Sequence, residues 1–287
     1  MRSILPLLIL LISQQLVAQN HCGRDHILKD PDWSEKSSLQ ESILQSAIEA
    51  GMLRGGPITV PVVFHQIALS EENFLPDQKF EEQIQILNED YGNFSPNNDG
   101  TPFELESLPV DMGIRFCLAQ TDPSGAPTSG IEKILGVDDC IGDIGVVKDP
   151  FENKPRLYYT DLGGADAWDP EKYLNIWVAD VCGTFLGYSS FPEEGLPEED
   201  GVIIDTPYFG NNEADGEAYP YHLGRIATHE VGHYFNLLHT WGEGGCDSDD
   251  KVNDTPVQET FHLGCPSHPS ISCGSADYFF NFMDYTD

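Results

Sequence analysis

HEVGHYFNLLHTW, residues 229–241, carries His229, Glu230, His233, Asn236 and His239 in a short span. A helix turns about 100° per residue, so His229 and His233 stand one turn apart on the same face. Two imidazoles so placed can share a metal ion, and Glu230 leans to the same side. This is the H-E-x-x-H pattern of two zinc ligands and a general base. His239 decides the local fold. On a continued helix it would lie about 120° away from His233 and far along the axis, out of reach of a common ion. The helix must therefore end between them and the chain must turn back. Asn236 stands where a left-handed residue is needed, and asparagine is the usual second choice after glycine. Ordinary half-buried histidines and an exposed asparagine would leave this spacing unexplained.

Outward from that stretch, the chain divides into periodic and aperiodic parts. PITVPVVFHQIAL, residues 57–69, is rich in β-branched residues and predicts a strand. DQKFEEQIQILNEDYGNF, residues 77–94, places Phe80, Ile84, Leu87 and Tyr91 on one face, with Asp77 as the expected cap. Further strands are expected around Ile114, Ile176 and Ile203. One strand, a helix, several strands and a helix bearing chemistry make an α/β fold, read as a sandwich. After Trp241 the patterning stops, and dense Gly, Pro, Cys and Asp predict an irregular region pinned by disulfides or ions.

The N-terminus MRSILPLLILLISQQLVAQ has a basic start, a short apolar run and small residues near Ala18, so residues 1–19 read as a signal peptide. The protein is then exported, and no later stretch is apolar enough to span a bilayer. Residues 20–56 are polar and charged, with one amphipathic run through Leu39, Ile43, Leu44, Ala47, Ile48 and Leu53; they read as an appended segment ahead of a core at 57–287. Forty-eight acidic against 14 basic residues give a formal charge of −34. Such a balance excludes nucleic acid and an anionic membrane surface as partners, because both need basic patches. It also offers many oxygen ligands for calcium. Seven cysteines leave one without an internal partner. The histidines at 21, 26, 65, 222, 262 and 268 lack metal spacing and read as structural or surface residues.

With NFMDYTD, residues 281–287, as a methionine turn, the histidine stretch resembles the metzincin site H-E-x-x-H-x-x-G-x-x-H, with Asn236 in the glycine position. Together with CDSDDKVNDTPVQ (246–258), GCP (264–266), YLNIWVADV, LGYSSFP and DGVIID, the sequence is similar to the pappalysin family, most closely its secreted bacterial, ulilysin-like branch. The resemblance runs from about Ile58 to the end. It implies a twisted mixed sheet with packed helices above the site and an irregular lower subdomain held by disulfides and calcium.

The resemblance also implies a secreted zinc endopeptidase acting on protein or peptide substrates. Three neutral imidazoles would leave one zinc position open for water, with Glu230 as the base that activates it. Met283 would form an apolar floor below the ligands, and Tyr285 would hydrogen-bond near the metal or steady the tetrahedral intermediate. Residues 185–192 would be an edge strand that aligns an extended peptide. Asp250, the Asn253 carbonyl and Thr255 fall on calcium-binding positions. Cys22 is expected to occupy the open zinc position and keep a zymogen latent, which makes residues 20–56 a pro-segment; a disulfide with Cys117, Cys140 or Cys182 is the alternative. Relatives pair the cysteines matching Cys246 and Cys273, and pair the one matching Cys265 with a cysteine just after the methionine turn. Here the sequence stops at Asp287, so the lower subdomain is expected to be incomplete. That expectation keeps open a second reading, a non-catalytic secreted module binding zinc and calcium. A third, an H-E-x-x-H enzyme with a distant glutamate ligand, would make His239 dispensable.

Overall fold

The computed structural model describes residues 56–94, 110–183, 185–192, 194–212 and 220–286. The expected signal peptide at 1–19, Cys22 and the amphipathic run at 39–53 lie outside the described residues.

The β-branched run forms the longest strand, β1 (Ile58–Ala68), and helix α1 (Asp77–Tyr91) follows it. Strands β2 (Ile114–Leu118), β3 (Ile131–Leu135), β4 (Leu174–Ala179), β5 (Gly187–Ser189) and β6 (Val202–Asp205) come next, then helix α2 (Arg225–Tyr234). β2 and β3 share one edge of β1: Ile58 to Val62 pair with β2, and Phe64 to Ala68 pair with β3. The other edge of β1 carries β4, then β6, then β5 at the end of the sheet. All pairings in this sheet are parallel except β5 with β6, so the sheet is mixed.

Alternation along the central strands sends their side chains to two faces. Val62, Phe64, Leu174, Ile176, Val178, Val202 and Ile204 pack with Phe80, Leu87 and Tyr91 of α1 and with Ala227 and Val231 of α2. Each such side chain, fully buried, contributes about 1.5–3 kcal/mol. The opposite face, through Ile67, Trp177, Ala179 and Ile203, is covered by Ile141 and Phe185 from loops and by Leu157 and Tyr158 from a short 3₁₀ turn, with no α-helix among them. His65 is a buried core residue there, bonded to Glu132 and Asn175 and stacked on Trp177. The reading of it as a structural residue fits its burial and these partners.

Two differences from the sequence reading stand out. Asp77 is the first residue of α1, after Pro76, and makes no capping bond; its carboxylate instead takes a 2.6 Å bond from Lys133 of β3. β3 itself was not foreseen, because IEKIL places its apolar residues at the i, i+3, i+4 spacing of a helix and lacks the two-residue alternation of a strand. The region after Trp241 is irregular as expected, apart from two-residue strands β7 (Ile271–Ser272) and β8 (Ser275–Ala276). The Cys246–Cys273 disulfide forms there, and Cys140–Cys182 closes a loop of the upper region. Cys117 and Cys265 are free thiols. Of the three disulfide partners considered for Cys22, only Cys117 is therefore still available.

Candidate metal centre

A ten-residue helix is marginal by itself, so α2 depends on what holds it. Gln83, fully buried on α1, donates to the Gly224 carbonyl at 3.0 Å and accepts from the Gly210 amide at 2.9 Å, tying down the entry to α2. One turn further, Thr228 donates to Asp90 at 2.8 Å and Tyr91 donates to the Thr228 carbonyl at 3.2 Å. These contacts set the pitch and rotation of the helix that carries His229, Glu230 and His233.

The end of α2 follows the reading of Asn236. Its φ is 71°, in the left-handed region. The Asn236 amide donates to the His233 carbonyl at 2.8 Å, and the Leu237 amide donates back to Gly232 at 3.0 Å. This pair of bonds is the Schellman arrangement, which satisfies orphan carbonyls and reverses the chain. His239 consequently returns beneath the helix. Its Nε2 lies 3.1 Å from His233 Nε2, which lies 3.1 Å from His229 Nε2. Among the described residues this is the one group of His, Cys, Asp or Glu side chains that could hold a metal ion.

Hydrogen bonding at the far ring nitrogens fixes the tautomers. His229 Nδ1 faces the Phe282 carbonyl at 2.6 Å, and His233 Nδ1 faces the Leu237 carbonyl at 2.7 Å. A carbonyl can only accept, so both Nδ1 atoms carry the proton. His239 Nδ1 faces the Glu243 carboxylate at 2.5 Å and donates in the same way. With Nδ1 as the donor, each ring in its neutral form directs its Nε2 lone pair at one point in a buried place, since His233 and His239 are fully buried and His229 is 7% exposed. Facing lone pairs repel unless a cation lies between them. Zn–N bonds of about 2.0–2.1 Å in a tetrahedral site put nitrogens roughly 3.3 Å apart, close to what is found. The donor set fits zinc.

The residues around the triad come from separate elements. Tyr285 places its hydroxyl 3.2 Å from His239 Nε2. Met283 is buried against Gly232, where an added Cβ would sit 2.4 Å from the sulfur. It thus lies against α2 at Gly232, the residue before His233. Trp241 stacks on the His239 ring at 4.2 Å, and Phe191 meets His233 edge-on at 5.6 Å. Glu230 is fully buried and lies along β5: a Cβ on Gly187 would come within 2.6 Å of its Cγ and 2.9 Å of its Oε1. Gly187 lets the helix and its acid approach the edge strand.

Asp250 and Thr255 also meet. Asp250 is 6% exposed, and its carboxylate accepts from Thr255 Oγ1 at 2.5 Å and from the Val252 amide at 3.0 Å. Burial pushes its carboxyl up to about 6. Asn253 is exposed on the same loop. Gly187, Gly232 and Glu243 were not singled out in the sequence. Of the three, only Gly232 carried a sequence signal, as the small residue between His229 and His233.

The peptidase M43 family model, described as pregnancy-associated plasma protein-A, matches residues 159–287. Extracellular metalloprotease 1 of Coccidioides posadasii is 29% identical, covering 100% of this chain and 90% of the relative. An extracellular metalloprotease of Colletotrichum graminicola is 30% identical over 86% of this chain and 76% of its own length. Among solved structures, Tannerella forsythia mature mirolysin with a cleaved peptide has a TM-score of 0.71 at 34% identity, covering 81% of this chain and 85% of its own. A promirolysin mutant from T. forsythia has a TM-score of 0.77 at 31% identity, covering 93% and 87%. A buried three-histidine centre under a mixed sheet is that of a metalloprotease. The chain belongs to the M43 pappalysin family of metallopeptidases.

Proposed function

We propose that this metalloprotease is a secreted zinc endopeptidase, made as a zymogen, in which Glu230 is the general base. The observation that carries the reading is the convergence of three Nε2 lone pairs beside an acid that lies along the outermost strand of the sheet. An extended peptide adding to β5 would pass Glu230 and the triad together. Zinc, when bound, polarises the scissile carbonyl and lowers the pKa of water. Glu230 accepts the proton of the attacking water at its carboxylate and delivers it to the leaving amine. The Tyr285 hydroxyl donates to the oxygen that gains charge as the carbonyl is attacked. Met283 and Trp241 keep the ligand rings packed and dry.

The signal peptide at 1–19, with relatives named extracellular metalloproteases, supports secretion. The likeness to promirolysin reaches 93% of this chain against 81% for mature mirolysin, which supports a pro-segment upstream of residue 57; Cys22 is its proposed latency residue, on the thiolate's strength as a zinc ligand. Calcium at Asp250, Asn253 and Thr255 is supported by a nearly buried carboxylate in a loop with little regular structure.

Replacing Glu230 with alanine tests the centre of this reading. Proteolysis of a denatured protein should fall at least about 10²-fold, with zinc still bound at one per chain. Undiminished activity in that variant, or a zinc-loaded processed chain that cleaves nothing, would sink it. In the second case the chain would be a metal-binding module.

A further inference from the structure

We infer that Glu243 is a positioning residue of the metal centre, acting through His239 to fix that ring and strengthen it as a ligand. The inference rests on the reading of His239 as a zinc ligand. The three ligands are not held alike. His229 and His233 ride on α2 and donate to neutral backbone carbonyls, whereas His239 lies beyond the helix and donates to a carboxylate at 2.5 Å. A ligand that lacks a helix under it needs a side-chain anchor. A charged acceptor also raises the electron density of the imidazole more than a carbonyl does.

A second observation is independent of that bond. Glu243 has a φ of 59°, in the left-handed region that L side chains disfavour. It follows Gly242, at φ 57°, where a Cβ would press on the Asp249 backbone at 2.7 Å, so that position must be glycine. At position 243 glycine would also be the relaxed choice, yet a glutamate is held there. Strain kept in this way beside a functional group points to a use for the side chain. The Glu243 side chain is only 20% exposed and turned inward, so solvation does not account for it. The Trp241 ring, stacked on His239 at 9° interplanar angle, steadies the imidazole from its face, and Glu243 holds it from its edge.

The full chain carrying Glu243→Gly, Glu243→Ala or Glu243→Gln tests this by zinc affinity in chelator competition and by the melting temperature of the metal-free protein. Loss of the carboxylate should weaken zinc binding about 10- to 100-fold in the glycine and alanine variants. Glutamine, which keeps an acceptor oxygen without the charge, should fall between them and the parent. The metal-free Glu243→Gly protein should melt at or above the parent, because glycine relieves the positive φ. A residue with a purely structural role would move the melting temperature down and leave zinc affinity alone. Cobalt-substituted Glu243→Gln should show shifted visible bands, a signature of an altered ligand field. Zinc affinities of the glycine and glutamine variants within twofold of the parent would overturn the inference. His239→Ala separates the two levels: if it binds zinc as tightly as the parent, the ligand reading fails; if it loses zinc while the Glu243 variants do not, only the role of Glu243 fails.

Discussion

The body from β1 through α2 and the region after Tyr234 hold the centre by different means. The body offers a sheet and two helices whose apolar residues repeat with the period of each element, and the placing of its two site histidines follows from helical spacing. The later region has almost no repeating structure. It brings His239, Met283 and Tyr285 to the triad by single devices: a left-handed residue at Asn236, the Cys246–Cys273 bridge, and carbonyls and carboxylates that each take one bond. Redundant packing tolerates the loss of one member, whereas a single device fails when its one member is removed. Substitutions after Tyr234 should therefore affect zinc more than stability, and those in the body the reverse.

The two disulfides give the largest test of that contrast. Cys140–Cys182 spans 42 residues and Cys246–Cys273 spans 27. Chain entropy assigns them about 4 and about 3.5 kcal/mol, so the body bridge should be worth slightly more to stability. For zinc retention the order should invert. Serine in place of Cys246 and Cys273 should lower metal content sharply, while serine in place of Cys140 and Cys182 lowers the melting temperature with zinc affinity kept. Equal zinc loss in both pairs would dissolve the distinction.

Gly232, where the regions touch, comes next in size. A Cβ there would meet the Met283 sulfur at 2.4 Å, and that side chain is already buried. Gly232→Ala should cost about 1–3 kcal/mol by overpacking and weaken zinc binding as the methionine turn is displaced. Melting curves with and without zinc would show both effects. A variant with normal stability and normal zinc would mean that the floor is softer than the geometry implies.

The same contrast sets how much could be read in advance. β1, α1, β2, β4 and β6 show in the sequence because burial on a sheet or helix imposes a period on many residues at once. His229 and His233 show for that reason, and Asn236 shows because bringing His239 to the same point demands a turn. Met283 and Tyr285 could be seen only through family resemblance, since no local rule carries a chain from residue 241 to residue 285. β5 needed the same help: three residues are too few for alternation to register. Glu243 was invisible, because a glutamate between glycines has no pattern that distinguishes it from an exposed acid.

Asn236 offers a smaller effect with a clear sign. A β-branched residue at φ 71° meets the left-handed penalty of about 1–2 kcal/mol, whereas glycine meets none. Asn236→Val should thus weaken zinc binding by about tenfold, and Asn236→Gly should match the parent or exceed it. Isothermal titration of zinc into each metal-free protein decides this. Undiminished binding in the valine variant would show that the chain returns to His239 without needing this turn.

The smallest effect lies in the body, at Asp205 on the end of β6. Burial pushes its carboxyl up to about 6, even though it accepts the Val181 amide at 3.0 Å. Unfolded, it titrates near the ordinary value of about 3.9. Between those values the native chain binds the extra proton, so the stability owed to this group is full below about pH 4 and is lost as pH rises through about 6. Asp205→Asn keeps an acceptor for Val181 and has no proton to lose. Its melting temperature should accordingly gain on the parent as pH goes from 4 to 6.5, then run parallel above that. Because Asp205 belongs to the packed body, the gain should be the same with calcium or with a calcium chelator. A gain that calcium abolishes would tie the end of β6 to the loop at Asp250 and join the two regions more closely than their contacts suggest.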